Sequence, residues 1–148
     1  MDILVDFDNT CMAGDFPIVK TDIGSVPVLK RLIEEGHRLI LWTCRSDNMN
    51  KKVVDNGLNV VPISGNFLTE AVDWFKDNDI PLYGIQRHPL QDGFTSSPKA
   101  FGDMTIDDTT LGAPVMVDLN ISKKPFIDWK WAESMLEMNQ ILTDKSKK

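Results

Sequence analysis

Residues 2–10 read DILVDFDNT, and this stretch decides the fold that the sequence predicts. The apolar run Ile3-Leu4-Val5 stops abruptly at an acidic cluster, as a buried parallel strand does at its carboxyl end. Four later runs have the same character and predict further strands: residues 38–42 (RLILW), 82–85 (LYGI), 104–106 (MTI) and 114–117 (PVMV). The chain therefore predicts a mainly parallel sheet of five strands.

Stretches with apolar residues at helical spacing lie between these strands. Ser25 is the predicted cap of a first helix and Gly36 its end, and Thr69 is the predicted cap of a second helix. Residues 128–142 predict a final helix. Strands that alternate with helices predict an α/β fold in three layers, with helices on both faces of the sheet.

One segment departs from this alternation. Residues 52–61 (KVVDNGLNVV) place a Val-Val pair on each side of Asn56-Gly57, which is a strong hairpin signal. We predict a small β-hairpin inserted after the second strand. A frayed helix followed by a loop is the alternative interpretation.

Length and charge exclude several classes of protein. The 148 residues predict a single domain over residues 1–142, with a flexible polar tail at residues 143–148. The net charge of −6 argues against non-specific binding to nucleic acid or to anionic membranes. No stretch is apolar for long enough to cross a bilayer, and the chain opens directly with an apolar strand, so we expect a cytoplasmic protein. The two cysteines lack the spacing of a zinc site.

Two acidic pairs follow predicted strands. Asp6 and Asp8 follow the first strand, and Asp107 and Asp108 follow the fourth. Open parallel sheets bind ligands at the carboxyl ends of their strands. Four carboxylates there repel one another unless a cation joins them, and an all-oxygen cluster suits a partly hydrated Mg²⁺. The sequence therefore predicts a magnesium site, with a merely solvated acidic rim as the alternative.

Three motifs together resemble those of the haloacid dehalogenase-like hydrolase superfamily. They are ILVDFDNT at residues 3–10, Thr43 at the end of LILWT, and Lys99 followed by Ile106-Asp107-Asp108. The resemblance spans about residues 1–118 and is closest to the small, capless, phosphatase-like members. It implies a Rossmann-like sheet with strand order 3-2-1-4-5 and magnesium at the strand ends. Asn9 stands where many relatives have Gly, and we expect it to tolerate a left-handed backbone.

The resemblance implies catalytic roles for two carboxylates. Asp6 would attack phosphorus and become an aspartyl-phosphate. Asp8 would protonate the leaving oxygen and then activate the water that hydrolyses this intermediate. Because a halide leaving group needs no proton, an acid at Asp8 favours phosphoester or phosphoanhydride chemistry over dehalogenation.

The resemblance also implies residues that bind the metal and the phosphate. The implied metal ligands are Asp6, Asp8 through its backbone carbonyl, Asp107 and Asp108, with Asp108 as a ligand or its support. Thr43 would hold a phosphoryl oxygen, and Lys99 would neutralise the developing charge. Arg45 follows two residues after Thr43 and could reach a substrate phosphate, or form a structural ion pair at a helix start.

The predicted function is that of a Mg²⁺-dependent phosphohydrolase acting on a phosphomonoester. Phosphotransfer to an acceptor other than water, and a non-catalytic metal-binding regulatory module, are the alternatives. Residues 11–24 are too short for a cap domain, so we expect an open site with the 52–61 hairpin as a rudimentary lid. Such a site suits a bulky substrate, namely a phosphoprotein, a nucleic-acid end or an extended nucleotide, and a second subunit could close it. A sugar phosphate is a further candidate substrate. His88 is interpreted either as facing the pocket or as an exposed loop histidine.

Overall fold

The computed structural model describes residues 1–55 and 59–145, with side chains outside residues 51–62. Its helices and strands, numbered along the chain, are β1 (Asp2–Val5), β2 (Met12–Asp15), β3 (Ile18–Asp22), α1 (Ser25–Glu34), β4 (Arg38–Leu41), β5 (Met49–Asp55), β6 (Asn59–Gly65), α2 (Phe67–Asp77), β7 (Leu82–Ile85), β8 (Met104–Ile106), β9 (Val115–Met116), β10 (Phe126–Ile127) and α3 (Trp129–Met138). Among the described residues, no helix combines the length and the apolar character that a membrane crossing requires.

The central sheet is parallel and Rossmann-like, with four strands in the order β7-β4-β1-β8. Val5 in β1 pairs with Leu41 on one side and with Ile106 on the other. Leu41 in turn pairs with Ile85 of β7. Because these four residues end their strands at one level, the segments that follow them leave the sheet along the same edge.

The predicted fifth strand does not join this sheet, so the five-stranded sheet with order 3-2-1-4-5 is wrong. Val115 and Met116 form β9, which pairs antiparallel with β10 in a separate two-stranded ribbon. Ile127 of β10 is buried and donates its N–H to the Asn9 carbonyl at 2.8 Å. The ribbon is thereby hydrogen-bonded to the loop after β1, and not to the free edge of β8.

The helices cover one face of the sheet. Ile3 and Val5 of β1 share one core cluster with buried side chains from all three helices, among them Leu29, Phe75 and Leu136. The opposite face carries Leu4 and Ile40, which pack against Ala100. The prediction of helices on both faces is therefore wrong for the described residues. The crossover of residues 86–103 contains two prolines and two glycines and forms only a 3₁₀ turn, Gln91–Gly93.

Buried polar groups hold this crossover against the sheet. His88 is 5% exposed, and its Nε2 lies 2.9 Å from Asp2 Oδ2. The Leu90 N–H donates to His88 Nδ1 at 3.1 Å, so Nε2 carries the proton that Asp2 accepts. Arg38 also binds both Asp2 oxygens. Both sequence interpretations of His88 are wrong, because it is a buried structural residue.

Two helix starts differ from the sequence prediction. Gly24, with φ at 82°, precedes α1, and the Ser25 hydroxyl donates to the Cys11 carbonyl at 2.7 Å instead of capping the helix. The second helix begins at Phe67, so Thr69 lies inside it and donates its N–H and hydroxyl to Asp47. In both cases a tertiary partner takes the hydroxyl that the local pattern assigned to capping.

Two hairpins extend from the sheet. Strands β5 and β6 pair antiparallel from Met49 with Gly65 to Asp55 with Asn59. This pairing confirms the predicted hairpin and not the alternative of a frayed helix. The predicted Asn56-Gly57 turn lies outside the described residues. Strands β2 and β3 form a second hairpin within residues 11–24, the segment that is too short for a cap domain. In the predicted tail, Thr143 donates to Glu35, and residues 146–148 lie outside the described part.

Candidate metal and phosphate site

Three carboxylates meet where β1 and β8 end. Oxygen atoms of Asp6, Asp107 and Asp108 all lie within 4.8 Å of one another. The pairing of Val5 with Ile106 explains this, because each strand continues directly into its acidic residues. The structure thus brings together three of the four carboxylates that the sequence assigns to a metal.

Thr10 connects these carboxylates and was not assigned a role from the sequence. It is fully buried, and its hydroxyl donates to Asp6 Oδ2 at 3.4 Å while accepting the Asp108 N–H at 3.1 Å. Its carbonyl accepts the indole N–H of Trp129 at 2.7 Å, which ties α3 to the same loop. The sequence feature that could have indicated this role is the spacing of four residues between Asp6 and Thr10, since a hydroxyl at that distance can reach the end of the strand.

Burial and mutual repulsion make two of these acids unusually weak. Burial raises the pKa of Asp6 to about 7, and the charges of Asp107, Asp8 and Asp108 add to the effect. Burial and the neighbouring Asp107 raise the pKa of Asp108 to about 6, against the opposing charge of Lys124. The site therefore favours a positive charge among its carboxylates.

The donor set fits a hard divalent cation. Opposed oxygens around Mg²⁺ lie about 4.2 Å apart, twice its usual 2.0–2.1 Å bond length. Three oxygens on one octahedral ion include at most one such opposed pair, and the neighbouring pairs lie about 2.9 Å apart, so the three carboxylates, now within 4.8 Å of one another, would move closer together around a bound ion. Carboxylate oxygens suit hard cations such as Mg²⁺, whereas softer metals are bound mainly by thiolate and imidazole ligands. Asp6, Asp107 and Asp108 are the residues that could hold it.

The carboxylate of Asp8 does not belong to this cluster, because Arg45 binds it. Arg45 Nε lies 2.9 Å from Asp8 Oδ2, and Arg45 Nη2 lies 2.7 Å from Asp8 Oδ1. The Arg45 side chain is almost completely buried, with its guanidinium 4.5 Å from the centre of the Phe7 ring. Its Nη1 donates to the Phe67 carbonyl at the start of α2. Two interpretations of Arg45 follow from the sequence, and the structure shows the second: an ion pair near the start of a helix, here α2.

Thr43 lies on the neighbouring strand end, in a loop whose shape depends on Gln86. Gln86 Oε1 accepts the Thr43 N–H at 3.0 Å, and Gln86 Nε2 donates to the carbonyls of Thr43 and Arg45 at 2.6 and 3.1 Å. The Thr43 hydroxyl oxygen accepts the Arg45 N–H at 3.3 Å. The hydrogen of the same hydroxyl remains able to donate to a phosphate. Gln86 was missed by sequence reasoning, although it directly follows a predicted strand.

Lys99 lies in the crossover that covers the opposite face of the sheet. Its side chain is exposed, and its carbonyl accepts from Gln91 Nε2 at 2.8 Å. The following residue, Ala100, packs on Leu4 of β1. Within the described part of the chain, the Lys99 ammonium forms no ion pair within 4.0 Å of a carboxylate, so the structure does not join it to the acidic cluster.

The loop between Asp8 and β2 has the backbone expected at Asn9. Asn9 adopts a left-handed conformation with φ at 57°, and its Oδ1 accepts the Gly14 N–H at 3.3 Å. The β2–β3 hairpin that follows places Phe16 edge-on against Phe67, with ring centres 5.0 Å apart. This hairpin therefore borders the Arg45 side of the site.

An apolar cavity of about 230 Å³ lies beside the site, along the free edge of β8. It is lined mainly by β8, residues 110–114 and α3, and it shares only Asp107 with the acidic cluster.

Comparison with known proteins shows one extended similarity. No protein-family profile and no curated protein matches the chain. A conserved protein from Bacteroides thetaiotaomicron, known from its solved structure, is 27% identical, and the match covers 94% of this chain and 91% of that chain with a TM-score of 0.65. The similarity supports the Rossmann-like α/β fold over nearly the whole length.

Proposed function

We propose that this protein is a Mg²⁺-dependent phosphohydrolase that acts on a phosphomonoester through Asp6. The observation that carries the proposal is the meeting of Asp6, Asp107 and Asp108 at adjacent strand ends, within 4.8 Å of one another. The resemblance of the flanking motifs to the haloacid dehalogenase-like hydrolases supports the same reaction. A bound magnesium ion would supply positive charge that offsets these carboxylates and the incoming phosphate.

In the proposed reaction, Asp6 acts as a nucleophile. A bond forms from an Asp6 carboxylate oxygen to phosphorus while the bond from phosphorus to the leaving oxygen breaks. Asp8 donates a proton to that leaving oxygen. Asp8 then takes a proton from a water that attacks the aspartyl-phosphate, which releases inorganic phosphate and regenerates Asp6. Thr43 and Lys99 are proposed to bind the phosphoryl oxygens and neutralise their charge.

The ion pair between Arg45 and Asp8 constrains this mechanism. Both Asp8 oxygens accept hydrogen bonds from Arg45, so one oxygen must leave the guanidinium before it can carry a proton to the substrate. The substrate phosphate is an anion that competes with the Asp8 carboxylate for the Arg45 guanidinium. Arg45 is accordingly proposed as a substrate-phosphate ligand in the loaded site.

The same ion pair favours a second candidate, a non-catalytic metal-binding module. A carboxylate held by a buried guanidinium supports the fold, and it needs no proton-transfer role to explain its presence. Such a module would bind Mg²⁺ at Asp6, Asp107 and Asp108 without turning over a phosphoester. Phosphotransfer to another acceptor would give a new phosphoester in place of free phosphate.

The test is phosphate release from a panel of phosphomonoesters, with Mg²⁺ and with EDTA. The panel contains p-nitrophenyl phosphate, mononucleotides, sugar phosphates, a phosphopeptide and oligonucleotides with terminal phosphates. The matched variants are Asp6→Asn, which removes the nucleophile, and Asp103→Asn, which removes an acid that contacts the Asp2 N–H far from the cluster. Release that requires Mg²⁺, persists in Asp103→Asn and vanishes in Asp6→Asn is the expected result. Magnesium binding without release from any ester would favour the module.

A further inference from the structure

We propose that Gln86 is a positioning residue for the general acid, acting on Asp8 through the backbone of the 43–45 segment and the side chain of Arg45. This inference rests on the proposed function for its catalytic consequence. The hydrogen bonds from which it is argued belong to the folded protein and do not depend on the reaction.

Gln86 lies where β7 leaves the sheet, in a left-handed conformation with φ at 60°. Its backbone N–H donates to the Leu41 carbonyl at 2.7 Å, which fixes it beside the last residue of β4. This backbone geometry directs a side-chain amide toward the segment that follows β4.

That amide makes three hydrogen bonds to the backbone of the 43–45 segment. It accepts from the Thr43 N–H and donates to the Thr43 and Arg45 carbonyls, at 3.0, 2.6 and 3.1 Å. An amide is the side-chain group that offers both an acceptor and two donors in one plane. The segment has no regular structure of its own, so these bonds determine the direction in which it leaves the sheet.

The position of the Arg45 backbone decides where its guanidinium can reach. Arg45 spans from this segment to Asp8 and to the Phe67 carbonyl, and its side chain is only 3% exposed. A buried guanidinium with a fixed bidentate partner tolerates little displacement of its backbone. Gln86, Arg45 and Asp8 therefore form a continuous chain of contacts from β7 to the loop after β1.

The test replaces Gln86 with Met, which keeps the length of the side chain and removes the amide, and with Glu, which keeps an acceptor and removes the donors. His88→Phe is the matched control, because it removes two hydrogen bonds of a buried side chain from the same crossover, and neither bond involves the 43–45 segment. The first readout is the Arg45 Nε–H signal in nitrogen-15 NMR spectra. The second readout is kcat and KM for phosphate release, measured as a function of pH.

Gln86→Met should shift or broaden the Arg45 Nε–H signal and lower kcat about tenfold, the size of one ordinary hydrogen bond lost from the transition state. Gln86→Glu should shift the signal and lower kcat at least as much as Gln86→Met, because its carboxylate would repel the Thr43 and Arg45 carbonyls, whereas His88→Phe should leave the signal and kcat unchanged. An unmoved Arg45 signal in Gln86→Met, or an equal shift in His88→Phe, would overturn the proposal. If the wild type releases no phosphate while the Arg45 signal responds to Gln86→Met alone, the positioning role stands and the phosphohydrolase proposal fails.

Discussion

The Thr10 hydroxyl accepts the backbone N–H of Asp108 at 3.1 Å, and so joins the loop after β1 to the loop after β8. The same hydroxyl donates to Asp6 Oδ2. One fully buried side chain therefore sets the spacing between two carboxylates that are 102 positions apart in the sequence.

Thr10→Val should weaken Mg²⁺ binding about tenfold, because it keeps the volume of the side chain and removes its hydrogen bonds to the Asp6 carboxylate and to the Asp108 backbone N–H. The measurement is calorimetric titration of the metal-free protein with Mg²⁺. Thr10→Ser keeps the hydroxyl and serves as the control, with affinity close to the wild type. Equal Mg²⁺ affinity in the Val and Ser variants would contradict the role assigned to Thr10.

The metal-free protein should lose stability as the pH rises from about 4 to about 7. Asp6 has a pKa raised to about 7 in the folded state, against 3.8 for an ordinary Asp, and Asp108 has a pKa raised to about 6. The folded state therefore binds more protons than the unfolded state across this window, and the free energy of unfolding falls as these protons are lost. Urea unfolding in EDTA at a series of pH values measures the slope.

Asp6→Asn should flatten this slope and raise the stability of the metal-free protein at pH 7, because it removes a charge that is disfavoured first by burial and then by the neighbouring carboxylates. Added Mg²⁺ should stabilise the wild type at pH 7 more than it stabilises this variant. A wild-type slope that Asp6→Asn leaves unchanged would show that other groups carry the pH dependence.

Arg45→Met should destabilise the fold by about 3 kcal/mol, because it leaves the Asp8 carboxylate without its buried partner. Combining it with Asp8→Asn should cost less than the sum of the two single changes, since the second change removes the charge that the first leaves unpaired. The double-mutant cycle is measured by urea unfolding. Strict additivity would mean that the two side chains contribute independently.

His88→Phe should lower the free energy of unfolding by about 1–3 kcal/mol, through loss of its hydrogen bonds to Asp2 and Leu90. The ring contacts with Tyr83 and Phe101 are available to the Phe side chain, so packing is largely kept. Arg87→Ala removes a more exposed ion pair with Asp92 and should change stability by less than about 1 kcal/mol. Similar effects of both variants on the urea midpoint would argue that His88 contributes no more than a surface contact.

The acidic strand ends were predictable from the sequence because the signals there are local. An apolar run followed by Asp6 and Asp8 specifies a buried strand that ends in polar groups, whatever lies elsewhere in the chain. The same holds for Ile106 and Asp107. Parallel pairing of adjacent strands then brings these ends together without further information.

The partners of individual side chains were decided by tertiary structure. Whether Arg45 would face a substrate or Asp8, and whether His88 would be exposed or buried, depends on groups about 37 and 86 positions away in the chain. The hydroxyls of Ser25 and Thr69 had suitable local positions for capping, and distant acceptors took them instead. Hydrogen-bond satisfaction is a property of the whole packed interior, so a local pattern does not determine it.

The sequence by itself determined the α/β class, the parallel strands and the acidic residues at their ends, because apolar periodicity and burial are encoded residue by residue. Only the tertiary structure decided that Val115 and Met116 would leave the sheet, that the helices would share one face, and that Gln86 and Thr10 would hold the site. Strands β9 and β10 contain two residues each, too few for an alternation of apolar and polar residues to predict their pairing. Their place depends on Ile127 and Trp129 finding hydrogen-bond acceptors in the loop after β1, which no neighbouring residue specifies.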